Sequence, residues 1–413
     1  MICAPWLLFI VTMALMLFHS PDSPFPAYDR FAFALLVLVV LLRTCLLQQP
    51  LRLAGPVTWP MLALLLLALC GVLAQPYDAE AWSMFAARWL VPFALYQLAT
   101  YVFRDPNALR HFELFTLVVL AYLSLIAVFF MMDMKQFIFP RYILDEGLGI
   151  HADRARGPFL QAVANGLALN LLGLLALDSF RRKRLRGVVA ILLLTALPLA
   201  IVATRTRAVW VSFAGSILAL LFVARSRRLR RGCVALSLAG LVGVALLLCS
   251  PDHHCSLRER LEESGPVKFR MAVYQAGWEM FLERPLSGWD ERAMEAGLAK
   301  RISDFHDEKY YFHNTYLEIL VRYGVIGLGM YLWIVIDLFR IGRKQRCSSF
   351  SPDGTFLDQS FREVWPLMIL VYLMNASFVG MNYQFVNGML FALAGMLTAQ
   401  NSCRDKKLYV LHD

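Results

Sequence analysis

Twelve apolar stretches, each close to the length a bilayer core demands, divide this chain and leave little of it for anything but membrane-crossing helices. They run roughly over residues 4–18, 31–47, 57–75, 82–102, 112–132, 159–179, 187–203, 208–224, 232–249, 325–340, 365–381 and 385–400. An α-helix rises about 1.5 Å per residue, so about 20 apolar residues cross a hydrocarbon layer of about 30 Å. With 59% hydrophobic and 17% charged residues among 413, the chain holds more apolar surface than one soluble core can hide. The expected fold is all-α: a polytopic integral membrane bundle of about twelve transmembrane helices. The first stretch does not read as a cleaved signal, because residues 1–5 carry no basic side chain and no small-x-small site follows.

The net charge of +10 is placed in loops. Basic clusters recur at alternate ones: Arg43 and Arg52; Arg104 and Arg110; Arg181, Arg182, Lys183, Arg184 and Arg186. The series goes on with Arg225, Arg227, Arg228, Arg230 and Arg231, then Arg340, Arg343, Lys344 and Arg346, and last Arg404, Lys406 and Lys407. This positive-inside pattern puts both termini in the cytoplasm and makes orientation, not nucleic-acid binding, the role of these clusters. The eight cysteines form no CxxC pair and no metal-like spacing. Cys249 and Cys255 lie close enough in sequence to bridge on the outer side, although lone thiols are ordinary in membrane helices.

With the basic loops inside, chemistry is left to the outward ones, of which two are long: residues 133–158 and 251–312. The chain then divides into residues 1–250 with nine spans, an outer loop at 251–312 with amphipathic helices, and residues 313–413 with three spans and a short cytoplasmic tail. Within the long loop a helix is expected from about Val267 to Glu283, stopped by Arg284-Pro285. Phe269, Val273, Ala276 and Met280 form one apolar stripe on it, with Arg270 beside the stripe. Such a helix can lie along the membrane surface and roof a cavity.

Outward loops are normally poor in Lys and Arg, yet here they hold Arg141, Arg154, Arg156, Arg205, Arg207 and Arg270. Arg205 and Arg207 sit in TRTRAVW, between two apolar runs with almost no room for a loop. An arginine at bilayer centre costs about 2.5–3.5 kcal/mol, less near the interface, so such side chains face a cavity or an anion. The planar guanidinium grips phosphate oxygens in a fork that lysine cannot match. Arg207 and Arg270 read as anion binders. For Arg141, Arg154 and Arg156 two readings stay open, an anion or the headgroups and carboxylates nearby.

Where the long loop re-enters the apolar region, His313 and Asn314 open HNTYLEILVRYGVIG, with Gly324 and Gly327 following after nine residues. An imidazole at a membrane–water boundary exchanges a proton near neutral pH. The other loop histidines, His151, His253, His254 and His306, read as solvated residues of little consequence. Glu318, one helical turn on, either orients the imidazole or faces water.

The pattern His-Asn, nine residues, Gly-x-x-Gly resembles the signature of the O-antigen ligase family, which also contains Wzy-type polymerases and O-oligosaccharyltransferases. GPFLQAVANGLAL (157–169), TRTRAVW and FRMAVYQAGWEMFLERPLSGWD are similar to further elements of that family in the same order, and together they cover roughly residues 141–328. Where the family commonly has Ser-x-Ser-Arg, this chain has Thr-Arg-Thr-Arg; Arg207, next to the following helix, is the better positional match. The resemblance implies a fold like that of other lipid-linked (glycosyltransferase-C-like) enzymes, with a periplasmic cavity and a helical periplasmic loop. It implies transfer of a glycan from undecaprenyl pyrophosphate to a sugar hydroxyl of lipid A–core, outside the bacterial inner membrane, in lipopolysaccharide biosynthesis.

In that reaction His313 is the expected general base, with Arg207 and Arg270 on the diphosphate and Arg205, Arg154, Arg156 or Arg141 in support. Asn314 is expected to bond sugar or nearby backbone, and Glu318 to support His313. No Asp-x-Asp pair occurs in an outward loop, and the acidic run DFHDE (304–308) has no convincing ligand arrangement, so no metal or other cofactor is expected. The expected partners are the lipid-linked donor, lipid A–core and membrane lipids, with no nucleic acid. Within the family, a polymerase or a protein O-oligosaccharyltransferase is the alternative; the tail of about a dozen residues past the last span, against the C-terminal soluble domain common in protein-modifying members, tilts the reading to a ligase. From another class, a transporter or flippase of lipid-linked sugars would suit an arginine-lined cavity, but transporters usually show pseudo-symmetric halves and midplane polar groups, and neither is seen here.

Overall fold

The computed structural model describes residues 4–19, 24, 26–48, 55–249, 265–302, 310–344 and 356–410. Among these no strand occurs, and each of the twelve apolar stretches falls on a helix. In chain order they are α1 (Pro5–Phe18), α2 (Tyr28–Leu46), α3 (Thr58–Leu73), α4 (Ala79–Phe85), α5 (Val91–Val102), α6 (Pro106–Met131), α7 (Ala162–Arg181), α8 (Gly187–Ala203), α9 (Arg207–Val223) and α10 (Arg227–Cys249). After these come α11 (Gly265–Glu283), α12 (Glu291–Arg301), α13 (Thr315–Lys344), α14 (Trp365–Ala376) and α15 (Gln384–Val410). Among the described residues three helices, α6, α7 and α13, are by themselves long and apolar enough to cross a membrane; α1, α3, α8 and α9 are apolar but shorter. The Cys249–Cys255 pairing, the histidines at 253, 254 and 306 and the acidic run at 304–308 lie outside the described residues.

Local chemistry sets the helix ends. Asp105 accepts a hydrogen bond from Asn107 N at 3.1 Å and Pro106 opens α6, a side-chain cap followed by a residue whose missing N–H costs nothing there. Asp78 caps α4 in the same way through Glu80 N. Between α4 and α5 the chain widens into a π-turn at Ala86–Leu90. Pro92 explains it: its ring would collide with the carbonyl four residues back, that of Arg88, and it has no N–H to give.

The helix α7 is the hub, buried along nearly its whole length from Ala162 to Ser179. Around it α6, α8, α9, α10 and α14 pack, while α15 lies along α5. Asn170 of α7 and Asn375 of α14 both donate to Ser212 Oγ of α9, at 3.1 and 2.9 Å, a three-helix polar tie inside the apolar core. At the far end of α7 the basic cluster departs from the reading given by its charge alone. Arg182 donates to Glu113 of α6 (2.7 and 3.1 Å) and to Asp178 (2.8 Å). Arg181 bonds Asp178 at 2.7 Å and also holds Asp358. Arg182 is a buried strut between α6 and α7, and the half-buried Arg181 ties α7 to the segment before α14.

The segment α11–α12 forms a second, smaller core of Val273, Ala276, Met280, Met294, Leu298, Ile302, Phe312 and Val321. Three members of the expected stripe, Val273, Ala276 and Met280, are buried, and Phe269 is partly so. The opposite side of α11 exposes Val267, Met271, Trp278 and Leu282. This unit is locked to α13 where that helix breaks. Gly324 has φ 64 and ψ −166, a conformation open essentially to glycine alone. Into the break runs the 285–289 turn: Val325 N donates to Pro285 O at 2.9 Å, and Trp289 N to Val321 O at 2.9 Å. A Cβ on Gly324 would stand 2.6 Å from Pro285 O and closer still to Leu286 O. Gly324→Ala is therefore expected to lower stability by about 1–3 kcal/mol from backbone strain alone. The sign to look for is a lower unfolding midpoint with earlier proteolysis at residues 285–289; an unchanged midpoint would mean the junction yields without cost.

Candidate functional site at the start of α13

Asn314 builds the start of α13. Its Oδ1 accepts from Tyr316 N (3.0 Å) and Leu317 N (3.1 Å), so its side chain serves the helix backbone as an N-cap. Thr315 adds a second anchor, donating to Val379 O at 2.7 Å and accepting from Met381 N at 3.0 Å, which ties the segment after α14 to this point. The residue before the cap, His313, has φ +47, unusual for a side chain without a local reason. Tyr274 Oη of α11 donates to its carbonyl at 3.3 Å and holds it there.

The groups around His313 come from three directions. Arg270 and Tyr274 reach it from α11, Glu318 from the first turn of α13, and His151 from the 145–160 loop. Burial pushes the His313 imidazole below its ordinary range, Arg270 and His151 push it further down, and Glu318 pulls the other way. The result is an imidazole that stays neutral, and so able to accept a proton, at neutral pH. His151 is solvent-exposed, as its sequence context suggests, and its push on His313 is the smallest of those named.

Glu318 does not face water. It is buried and ion-paired with Arg88, on the π-turn between α4 and α5. Arg88 was missed in the sequence, although an arginine inside the apolar stretch 82–102 is the signal that should find it. Gly380 packs against the pair: a Cβ there would lie 3.3 Å from Glu318 Oε2 and 3.4 Å from Arg88 Nη2.

The six outward arginines separate into groups. Arg156 is 1% exposed, and its guanidinium is spent on three loop carbonyls, those of Ile143 (3.0 Å), Leu148 and Asp145. Arg141 bridges Lys135 O and Gln136 O, each at 2.9 Å. Both are braces of the 133–158 loop, a third option beside the two that its sequence left open. Arg154 lies 3.9 Å from Asp153, and Arg205 lines a groove together with Asp133, Glu146 and Asp153. Arg207 and Arg270 differ. Among the described residues neither makes a hydrogen bond or an ion pair.

Arg207 stands at the first turn of α9, exposed. Its height follows from the helix ties. Ser212, five residues on (about 7 Å along the axis), is bonded to Asn375, and Val379, four residues past Asn375, receives Thr315. Arg207 is thus at the same end of the bundle as His313.

A protein-family model described as O-antigen ligase matches residues 189–332, from α8 into α13. The match takes in Arg205, Arg207, Arg270, His313, Asn314, Glu318, Gly324 and Gly327; Arg88, Arg141, Arg154 and Arg156 precede it. No curated protein matches the chain.

Proposed function

We propose, from the premise that residues 189–332 belong to the O-antigen ligase family, that this chain is a ligase of lipid-linked surface glycan. It moves a glycan from undecaprenyl pyrophosphate to a sugar hydroxyl of lipid A–core, on the periplasmic side of the inner membrane, without a metal. The twelve helical stretches are its spans, with both termini in the cytoplasm.

One observation carries the reading: a half-buried imidazole, His313, held below its ordinary range by burial, sits beside an arginine, Arg270, that has no carboxylate partner among the described residues. The acceptor hydroxyl must lose a proton as its oxygen attacks the anomeric carbon, and a neutral imidazole takes it. The bond that breaks joins the anomeric carbon to the diphosphate, whose leaving oxygens gather negative charge. Two guanidinium groups unpaired among the described residues, Arg270 and Arg207, suit that charge. The same arginines make a transporter of lipid-linked sugars conceivable on charge alone, but transport gives no task to a neutral imidazole held in place at a helix cap.

Cells with and without the protein, compared for glycan on lipid A–core, test the reaction. Lipid-linked glycan that accumulates while lipid A–core stays bare supports it; glycan chains shortened to single repeat units would favour a polymerase. A second expectation concerns the metal. Transfer by the purified protein is expected to persist in excess EDTA, and activity lost to EDTA and restored by magnesium would end the metal-independent version.

A further inference from the structure

The Arg88–Glu318 pair lies outside the chemistry assigned so far, and its construction is elaborate for a mere strut. A π-turn places Arg88, the lack of a side chain at Gly380 makes room for the pair, and the residue after His313–Asn314 ties down the segment that carries Gly380. Both partners are only 11% exposed in their side chains, and Arg88 Nε has no hydrogen-bond partner. Glu318 N donates to Asn314 O at 3.0 Å, so its backbone belongs to the same first turn as the cap next to the imidazole.

We propose that Arg88 is a positioning residue for His313: it pins the Glu318 carboxylate one turn beyond the imidazole and limits how much of that negative charge the imidazole feels. This rests on the reading of His313 as the general base.

The electrostatic setting makes the proposal specific. The charged and titratable groups that face His313 are Arg270 and Tyr274 of α11, His151 of the 145–160 loop, Glu318 of α13 and, behind Glu318, Arg88 of the π-turn; Tyr311 lies edge-on to the ring at 6.5 Å. Of these, Glu318 alone favours the protonated imidazole. Unneutralised, a carboxylate within about 4–6 Å can raise an imidazole by about 1–3 pH units and leave it protonated near neutrality, useless as a base. Arg88 offsets that charge while keeping the carboxylate in place.

The two partners therefore act on His313 with opposite sign, which a purely structural pair would not do. The experiment measures the pH dependence of diethyl pyrocarbonate modification of the His313 peptide in the full-length protein, a titration that needs no turnover. The transfer rate is followed over the same pH range. Arg88→Gln is expected to move the His313 midpoint up by about half a pH unit or more, and Glu318→Gln to move it down by a similar amount. Arg88→Lys, which keeps the charge, should stay within about 0.3 unit of the parent. The double variant R88Q/E318Q removes both charges together and is expected to return close to the parent, so it also reports if Arg88→Gln alone folds poorly.

Midpoints that do not move, or that move in the same direction in Arg88→Gln and Glu318→Gln, overturn the proposal. Failure of the underlying reading looks different: the modification midpoints shift as expected while transfer is indifferent to the protonation of His313.

Discussion

His313→Ala is expected to stop glycan transfer while leaving the lipid-linked donor bound. A general base is worth about 10²–10⁴ in rate, or about 3–5 kcal/mol at the barrier, and an alanine offers no second acceptor for the proton. Donor binding should survive because the diphosphate is assigned to other side chains. Arg207→Ala and Arg270→Ala give the contrast, with weaker donor binding as well as slower transfer, since a charge-assisted bond to phosphate serves both the bound donor and the departing diphosphate. The measurement is single-turnover transfer alongside equilibrium binding of the donor in each variant. Normal turnover in His313→Ala would remove the base from the mechanism, whatever the arginines do.

The pH dependence follows from the same environment. The base must be unprotonated, and burial with Arg270 and His151 lowers the His313 pKa. The rate should then fall with a midpoint below about pH 6.5, that of an ordinary histidine, and be level well above it. A midpoint above that of an ordinary histidine would mean that Glu318 outweighs the other three influences.

Hydropathy was a good guide to the helices, because an apolar stretch long enough to meet lipid has few other ways to satisfy its backbone. It did not reveal that α13 breaks at Gly324, which depends on a turn about forty residues earlier arriving at that point. The order of motifs pointed to His313 and Arg270, and both lie at one place. Charge alone misled elsewhere. Arg156 and Arg141 carry the same side chain as Arg207, but whether a guanidinium is free or spent on carbonyls is decided by how a loop folds back on itself. Arg88 and the reach of His151 were hidden for a related reason: each meets His313 or its partner across more than 150 residues of sequence, and no local pattern records such a meeting. Glu318, read as orienting the imidazole or facing water, is instead buried against Arg88.

Arg182→Ala should be strongly destabilising. Its side chain is fully buried, and it donates to Glu113 through both terminal nitrogens, to Asp178 through Nε and to Ser179 Oγ at 3.2 Å, with the Phe356 ring 5.4 Å from its guanidinium carbon. Removing the cation leaves Asp178 to Arg181 alone and Glu113 with only the Ser179 hydroxyl, in a site closed to water, a loss of about 3–5 kcal/mol for a broken buried pair. The drop should appear as a lower unfolding midpoint of the detergent-solubilised protein, with less folded protein in the membrane. Lysine should rescue only in part, because a single ammonium cannot fork across Glu113 while also reaching Asp178. The decisive comparison adds Glu113→Gln to Arg182→Ala. If buried unpaired charge causes the loss, the double variant is more stable than Arg182→Ala alone, since one uncompensated carboxylate has gone. If the double variant is worse, the arginine was filling space and bridging α6 to α7 by its bonds, and charge balance was secondary. The two outcomes separate the electrostatic account of this end of α7 from the packing one, and neither depends on what happens at His313.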